Sequence, residues 1–172
     1  MVGCFGRSLR FGLLAAAITV LPLAGCSSIG PSAFGGNKLA VAEISNIGTY
    51  TPEGALTEAR AHFRNNNYGY SAAFYKRAVE LTPDNPEGYV GLSASYDRLG
   101  RFDLSDRVYA SLYRMSGGTA QYFNNVGYSH MLRGNLAEAL KNFRKAQKLD
   151  PDNVVVANNI QILSRAAAEA RA

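Results

Sequence analysis

Tryptophan is absent from the 172 residues, and the residues that most often carry chemistry are scarce: two cysteines, two histidines and 13 acidic side chains against 18 basic ones. Two cysteines cannot build a thiolate metal site of four ligands, and His62 and His130 stand too far apart in sequence to make a paired ligand motif. No HExxH, GxSxG or glycine-rich phosphate loop is present; "GGT" at 117–119 reads as a turn. Long apolar runs are also missing, with one exception. Residues 11–25, "FGLLAAAITVLPLAG", run without a charge. At ~1.5 Å per residue a helix of that length falls short of the ~30 Å hydrocarbon core.

What is there begins with that run. Arg7 and Arg10 precede it and small residues end it, so residues 1–25 have the build of an export signal rather than a membrane span. The end, Leu23-Ala24-Gly25-Cys26, resembles the lipobox of bacterial lipoproteins. The resemblance implies cleavage before Cys26 and lipidation of its thiol. Two or three acyl chains on one residue make a stable anchor. Cys4 leaves with the signal, so the mature chain keeps one cysteine and no disulfide. Ser27, where an Asp would imply inner-membrane retention, implies the periplasmic face of a Gram-negative outer membrane. Without Arg7 and Arg10 the formal charge of +5 falls to +3, which does not point to nucleic acid.

Residues 26–51, the lipidated cysteine and the stretch after it, are rich in Gly, Ser and Asn and show no lasting periodicity. They read as a flexible tether with a reach of roughly 25–30 Å. Within them "LAVAEISNI" has some strand or helix potential and could dock on the domain, but the tether is the favoured reading.

From Pro52 the sequence repeats. "NNYGYSAAFYKRAVELTPDN", "GRFDLSDRVYASLYRMSGGT" and "GNLAEALKNFRKAQKLDPDN" align without gaps at a period of 34, giving units 52–85, 86–119 and 120–153. Small residues recur where two helices would approach closely: Ala59, Ser93 and Gly127, then Ser71, Ser105 and Ala139. Aromatics recur beside them at Tyr75, Tyr109 and Phe143. Asn66-Asn67, Gly100-Arg101 and Gly134-Asn135 suit turns, and Pro83 and Pro151 stop helices. Period and pattern resemble the tetratricopeptide repeat, or TPR. The resemblance implies an all-α solenoid of three helix–turn–helix repeats, with residues 154–172 as a capping helix in which Ala157 and Ile160 keep the register. His62 and His130 share one slot, held by Tyr96 in unit two, and are expected to pack between helices. The sequence therefore predicts no enzyme, no cofactor and no metal.

The remaining candidate is a surface. First helices line the concave side of such a solenoid, which in this fold takes a peptide segment. By register the groove holds Arg60, Arg64, Arg98, Asn124, Asn125, Tyr128 and Asn158, with Leu56 also on the lining. Arginines can pair a carboxylate bidentately and amides can bond a peptide backbone. The slots that clamp chaperone C-termini in some TPR domains hold Leu56, Arg60, Gly91 and Gln121, with only Asn125 in agreement, so carboxylate clamping is not expected.

Lipobox, tether, three repeats and a short cap together resemble the TadD-type lipoproteins of the tight-adherence (Tad/Flp) pilus apparatus, and "NNVGYS" with Asn158-Asn159 carries that resemblance. It implies an outer-membrane adaptor for pilus secretion machinery whose partners are envelope proteins such as pilus or secretin components. The alternatives are a scaffold recruiting peptidoglycan hydrolases or outer-membrane assembly factors, and an enzyme with an unrecognised site.

Overall fold

The computed structural model describes residues 40–169. The signal at 1–25, the lipidation position Cys26 and residues 27–39 lie outside the described residues, as do 170–172 at the end of the expected cap. The described chain holds seven α-helices and no strand: α1 Pro52–Arg64, α2 Tyr68–Leu81, α3 Pro86–Arg98, α4 Phe102–Ser116, α5 Ala120–Leu132, α6 Leu136–Leu149 and α7 Val154–Glu169. The all-α architecture is the one expected.

Helix boundaries follow the 34-residue period at atomic level. Each first helix is preceded by a side-chain cap. Thr51 Oγ1 accepts from the Gly54 N–H at 3.1 Å, Asn85 Oδ1 from Glu87 at 3.0 Å and Thr119 Oγ1 from Tyr122 at 3.1 Å. Asn153 Oδ1 does the same for Val155 and Val156 at the start of α7. Such caps satisfy donors that the first turn leaves open. Pro52 and Pro86 stand at the first helical position, where the missing N–H costs nothing. The turns into second helices share another mark: Asn66, Gly100 and Gly134 all have positive φ, at 59°, 67° and 77°. Only residues that tolerate the left-handed region turn the chain this tightly.

The small-residue slots do what their size suggests. Ala59, Ser93, Ser71, Ser105 and Ala139 are fully buried, with Tyr75, Tyr109 and Phe143 packed among them. At Gly91 the fit is closest: a Cβ there would lie about 2.1 Å from the Tyr75 ring. Successive helices pack in antiparallel sequence from α1 to α7. First helices also touch along the stack, α1 with α3, α3 with α5 and α5 with α7, while neighbouring second helices share no comparable contact. The stack therefore curves with first helices on its inner side.

Two apolar clusters fill it. One joins Ala55, Leu56, Phe74, Tyr75, Leu92, Tyr96 and Leu99, and the other gathers Ala139, Phe143 and Leu163 with Leu136, Leu140 and Ile160 around them. Leu56 is thus a core residue, 7% exposed, and not part of the groove lining that its register suggests.

The tether reading needs correction over its last residues. Val41, Ile44, Ile47 and Tyr50 pack against the first cluster. The Ala42 N–H donates to the Gly69 carbonyl at 3.1 Å, Arg77 Nη2 donates to the Gly48 carbonyl at 3.0 Å, and the Tyr50 ring meets Phe74 edge-on at 4.9 Å. Residues 41–50 form a strap, with a short 3-10 turn at Ile47–Thr49, that covers the open flank of unit one. The apolar area it removes from water outweighs the turn-rich composition around it.

At the other end α7 covers unit three through Val156, Asn159, Ile160 and Leu163. Ala157, expected to hold the register of a first helix, is exposed. Its slot normally faces a second helix of its own unit, and none follows α7 among the described residues.

Candidate functional site

On the inner side α1, α3, α5 and α7 enclose a cavity of about 300 Å³. Phe63 and Ala94 contribute from the first two of these helices, Asn124, Asn125 and Tyr128 from α5, and Val155 and Asn159 from α7. Asp97, Arg98 and Tyr109 complete it. The lining is mixed, with aromatic and aliphatic walls interrupted by amides and one buried acid.

The amides are linked. Asn159 Nδ2 donates to Asn124 Oδ1 at 2.8 Å, and Asn124 Nδ2 reaches Asn125 Oδ1 at 3.4 Å. Asn159 is 8% exposed. This chain fixes the amide orientations and leaves the Asn125 Nδ2 group and the Asn159 Oδ1 atom with hydrogen-bonding capacity at its two ends. One end gives and the other accepts, which matches the N–H and C=O of an extended backbone.

Beneath them sits Asp97, 4% exposed. Its Oδ2 accepts from the Tyr109 hydroxyl at 2.8 Å and its Oδ1 from the Ser129 hydroxyl at 2.6 Å. Burial pushes the Asp97 carboxyl up from the ordinary carboxylate value, opposed by hydrogen bonds from Ser105, Ser129 and Tyr109 and by the Arg133 charge. The Tyr109 hydroxyl is pushed well up, first by burial and then by the Asp97 charge. Arg133 donates to Ser129 Oγ at 2.8 Å and to Asp106 at 2.9 Å, and its guanidinium lies 4.7 Å from the Phe102 ring centre. This network joins units two and three, and it belongs to the floor of the cavity.

Of the seven residues assigned to the groove by register, the structure gathers Arg98, Asn124, Asn125 and Tyr128 at the cavity. Arg98 lies over the Tyr68 ring at 4.6 Å. Arg60 is taken up elsewhere: its Nε donates to Glu87 Oε1 at 2.7 Å, across the junction to the next repeat. Arg64 is exposed at the end of α1, and Asn158 is exposed beside the cavity while its neighbour Asn159 enters it. Val155 and Tyr109 are lining residues that the register alone does not mark.

The two histidines lie apart. His62 stacks between Tyr70 and Phe74, with ring centres 5.1 and 5.5 Å away. His130 is half-buried with no hydrogen-bond partner at Nδ1 among the described residues, and burial, then the Arg133 charge, lowers its pKa. Among the described residues no group of three His, Cys, Asp or Glu side chains could hold a metal ion, and no helix is long and apolar enough to cross a membrane.

Geometry of this kind defines a class: a solenoid of helix pairs with an open, amide-lined inner face. Residues 120–153, the bounds of unit three, match the family model described as Tetratricopeptide repeat. The chain is 27% identical over 92 residues to the small glutamine-rich tetratricopeptide repeat-containing protein 2 of Mycosarcoma maydis. That match covers 52% of the chain and spans about a quarter, 26%, of the relative. Among solved structures, the first TPR domain of human RPAP3 aligns with a TM-score of 0.59 at 20% identity, covering 69% of this chain and 96% of that one. The first TPR of Spaghetti (RPAP3), solved bound to the HSP90 peptide SRMEEVD, aligns with a TM-score of 0.58 at 19% identity, covering 68% and 93%. The chain has the fold of a TPR domain, and its third repeat matches the tetratricopeptide repeat in sequence.

Proposed function

We propose that this chain is an adaptor that holds an extended segment of a partner protein on its inner face, as a lipoprotein anchored through Cys26 to the periplasmic side of an outer membrane, in the assembly of Tad/Flp pilus secretion machinery. The observation that carries the binding reading is the linked amide row Asn159–Asn124–Asn125 above a cavity sized for a side chain. Amides offering one donor end and one acceptor end suit a peptide backbone, while Tyr128, Phe63 and Val155 suit an apolar side chain of the same segment. The Spaghetti domain, bound to an HSP90 peptide, supports peptide binding by this fold. Carboxylate clamping is not supported, since Leu56 is in the core, Arg60 is paired with Glu87 and Gly91 lies against Tyr75. The anchor and the pilus rest on the resemblance of residues 1–28 and of the repeats, and the envelope-scaffold reading differs only in the partner.

Capture from an envelope extract tests both parts. The wild-type protein should retain a pilus or secretin component, and Tyr128→Ala should not. Retention of a peptidoglycan hydrolase or an assembly factor instead would replace the pilus reading, and equal retention by Tyr128→Ala would remove the inner-face reading. Cys26→Ser should leave the membrane fraction after a high-salt wash; a variant that still sediments with membranes would refute the anchor.

A further inference from the structure

Helices α2 and α6 hold the same place in units one and three, so their slots correspond two periods apart. On α2 the slots Ala73, Lys76, Arg77 and Glu80 share a cavity of about 300 Å³ with the strap residues Val41, Glu43, Ile44 and Ile47. The strap is non-helical there, sets aliphatic side chains against the helix and carries one acid. This face of a second helix is therefore one that holds a laid-down segment of chain.

On α6 the corresponding slots are Lys141, Arg144, Lys145 and Lys148, and they line an open depression of about 420 Å³ over Ala137 and Leu140. Four formal positive charges replace the single net positive charge of the α2 slots. Little opposes them. Glu138 pairs with Lys141 at 3.2 Å, and Lys145 lies 5.0 Å from the centre of the Phe123 ring. Arg144 and Lys148 have no ion pair among the described residues. The depression is lined by α6 residues alone, with Ala137 and Leu140 also bordering Leu163, Ser164 and Ala167 of α7 on their other side.

We propose that the α6 face is a second docking site, taking an acidic segment of a partner protein laid along the helix as residues 41–48 are laid along α2. The charge pattern asks for carboxylates about one helical turn apart on the segment, and the half-buried Leu140 beside Ala137 asks for an aliphatic side chain between them. A flat anionic lipid surface would meet the cations but not the half-buried Leu140 among them. One difference from α2 sets how the segment is held. At Gly69 an added Cβ would come within 2.8 Å of the Ala40 carbonyl, and α6 has Ala137 at that slot. The backbone must then stand further off, so side-chain ion pairs carry the contact and salt weakens it. This site is independent of the inner face.

The test uses the full chain and two probe peptides: acetyl-Ala-Val-Glu-Glu-Ile-Glu-Asp-Ile-amide, and the same peptide with Gln and Asn in place of Glu and Asp. Amide shifts are followed by NMR. The acidic peptide should perturb residues 136–149, bind roughly tenfold more tightly than the neutral one, and lose that margin as salt rises or when Arg144→Glu and Lys148→Glu are combined. Equal binding of the two peptides overturns the proposal, and so do perturbations confined to Arg98, Asn124 and Tyr128. Two further results would overturn it in favour of another occupant. In one, phosphatidylglycerol vesicles perturb α6 where the acidic peptide does not; in the other, raising the protein concentration alone does so. The wild-type comparison of peptides decides the matter even if the double variant fails to fold.

Discussion

Asp97 and Ser129 stand 32 residues apart in sequence and meet at 2.6 Å, the carboxylate of α3 accepting the hydroxyl proton of α5. They meet where the two apolar clusters of the solenoid leave off. Units one and two share hydrocarbon; units two and three share a polar network of Asp97, Tyr109, Ser129 and Arg133. That difference sets the first expectation.

Asp97→Ala should destabilise the fold by about 1–3 kcal/mol in urea melts, because it strands buried hydroxyl donors. Asp97→Asn keeps the shape and one acceptor and should cost less. The pH dependence has a definite sign. Burial raises the folded-state pKa of Asp97 above its unfolded value, so its contribution is fully present below the unfolded value and is lost as pH rises through the folded one. The stability of wild type relative to Asp97→Asn should therefore decline with rising pH across the acid range and then level off. A difference that grows with pH would contradict the burial of this carboxyl.

His130 should act with the opposite sign. Its pKa is lowered in the fold, chiefly by burial, so its contribution is present above the unfolded value of about 6.5 and lost as pH falls through the folded value. His130→Tyr, which copies Tyr96 from the same slot of unit two, should remove that part of the acid sensitivity. His62→Tyr should be tolerated for the same reason, and chelators should leave the melting temperature of both unchanged. A metal in the purified protein that depends on either histidine would reverse this reading.

Much of this is legible in the sequence because the repeat imposes it. A period of 34 places the small residues, the aromatics beside them and the turns, and helix packing then follows from size alone. Single side chains are harder to place where the repeat is broken. The Arg60 side chain reads as a groove residue until Glu87 of the next unit takes it. Asn158 reads as lining, yet Asn159 enters the cavity: among the described residues no second helix follows α7, which settles by Val156, Asn159 and Leu163 instead of by the Ala157 face. The strap has a signal. Val41, Ile44, Ile47 and Tyr50 recur every third residue, an apolar stripe masked by the Gly, Ser and Asn around it.

For the inner face, Tyr128→Ala should weaken binding of the captured partner by about 2 kcal/mol, or roughly thirtyfold, if it behaves as an aromatic hot spot. Arg98→Glu should weaken it too, while Arg107→Glu on the outer side should change it little. Melting curves of Arg98→Glu and Arg107→Glu should stay close to wild type, since both side chains are exposed, while Tyr128→Ala should melt somewhat lower because Tyr128 packs against the second apolar cluster. Calorimetry with the purified partner distinguishes these outcomes; loss with Arg107→Glu alone would put the partner on the outside.

Each end of the solenoid depends on its cover. Tyr50→Ala removes an edge-on contact with Phe74 and should cost about 1–3 kcal/mol. Leu163→Asp, which puts a charge where a side chain is 3% exposed, should cost more and promote aggregation by baring the flank of unit three. Light scattering and thermal melts read both. A soluble Leu163→Asp protein with an unchanged melt would show that α7 is dispensable.

The strap also decides which way the domain faces. Ala40 lies against Gly69 at the start of α2, so the chain enters the fold from the outer layer of helices and not from the inner one. The point of entry at Ala40 and the proposed inner face on α1, α3, α5 and α7 therefore lie on different layers of the solenoid. An anchor at Cys26, as proposed, would then join the domain on a different face from the one proposed to hold a partner segment, so a moored domain would keep its inner face free for loading.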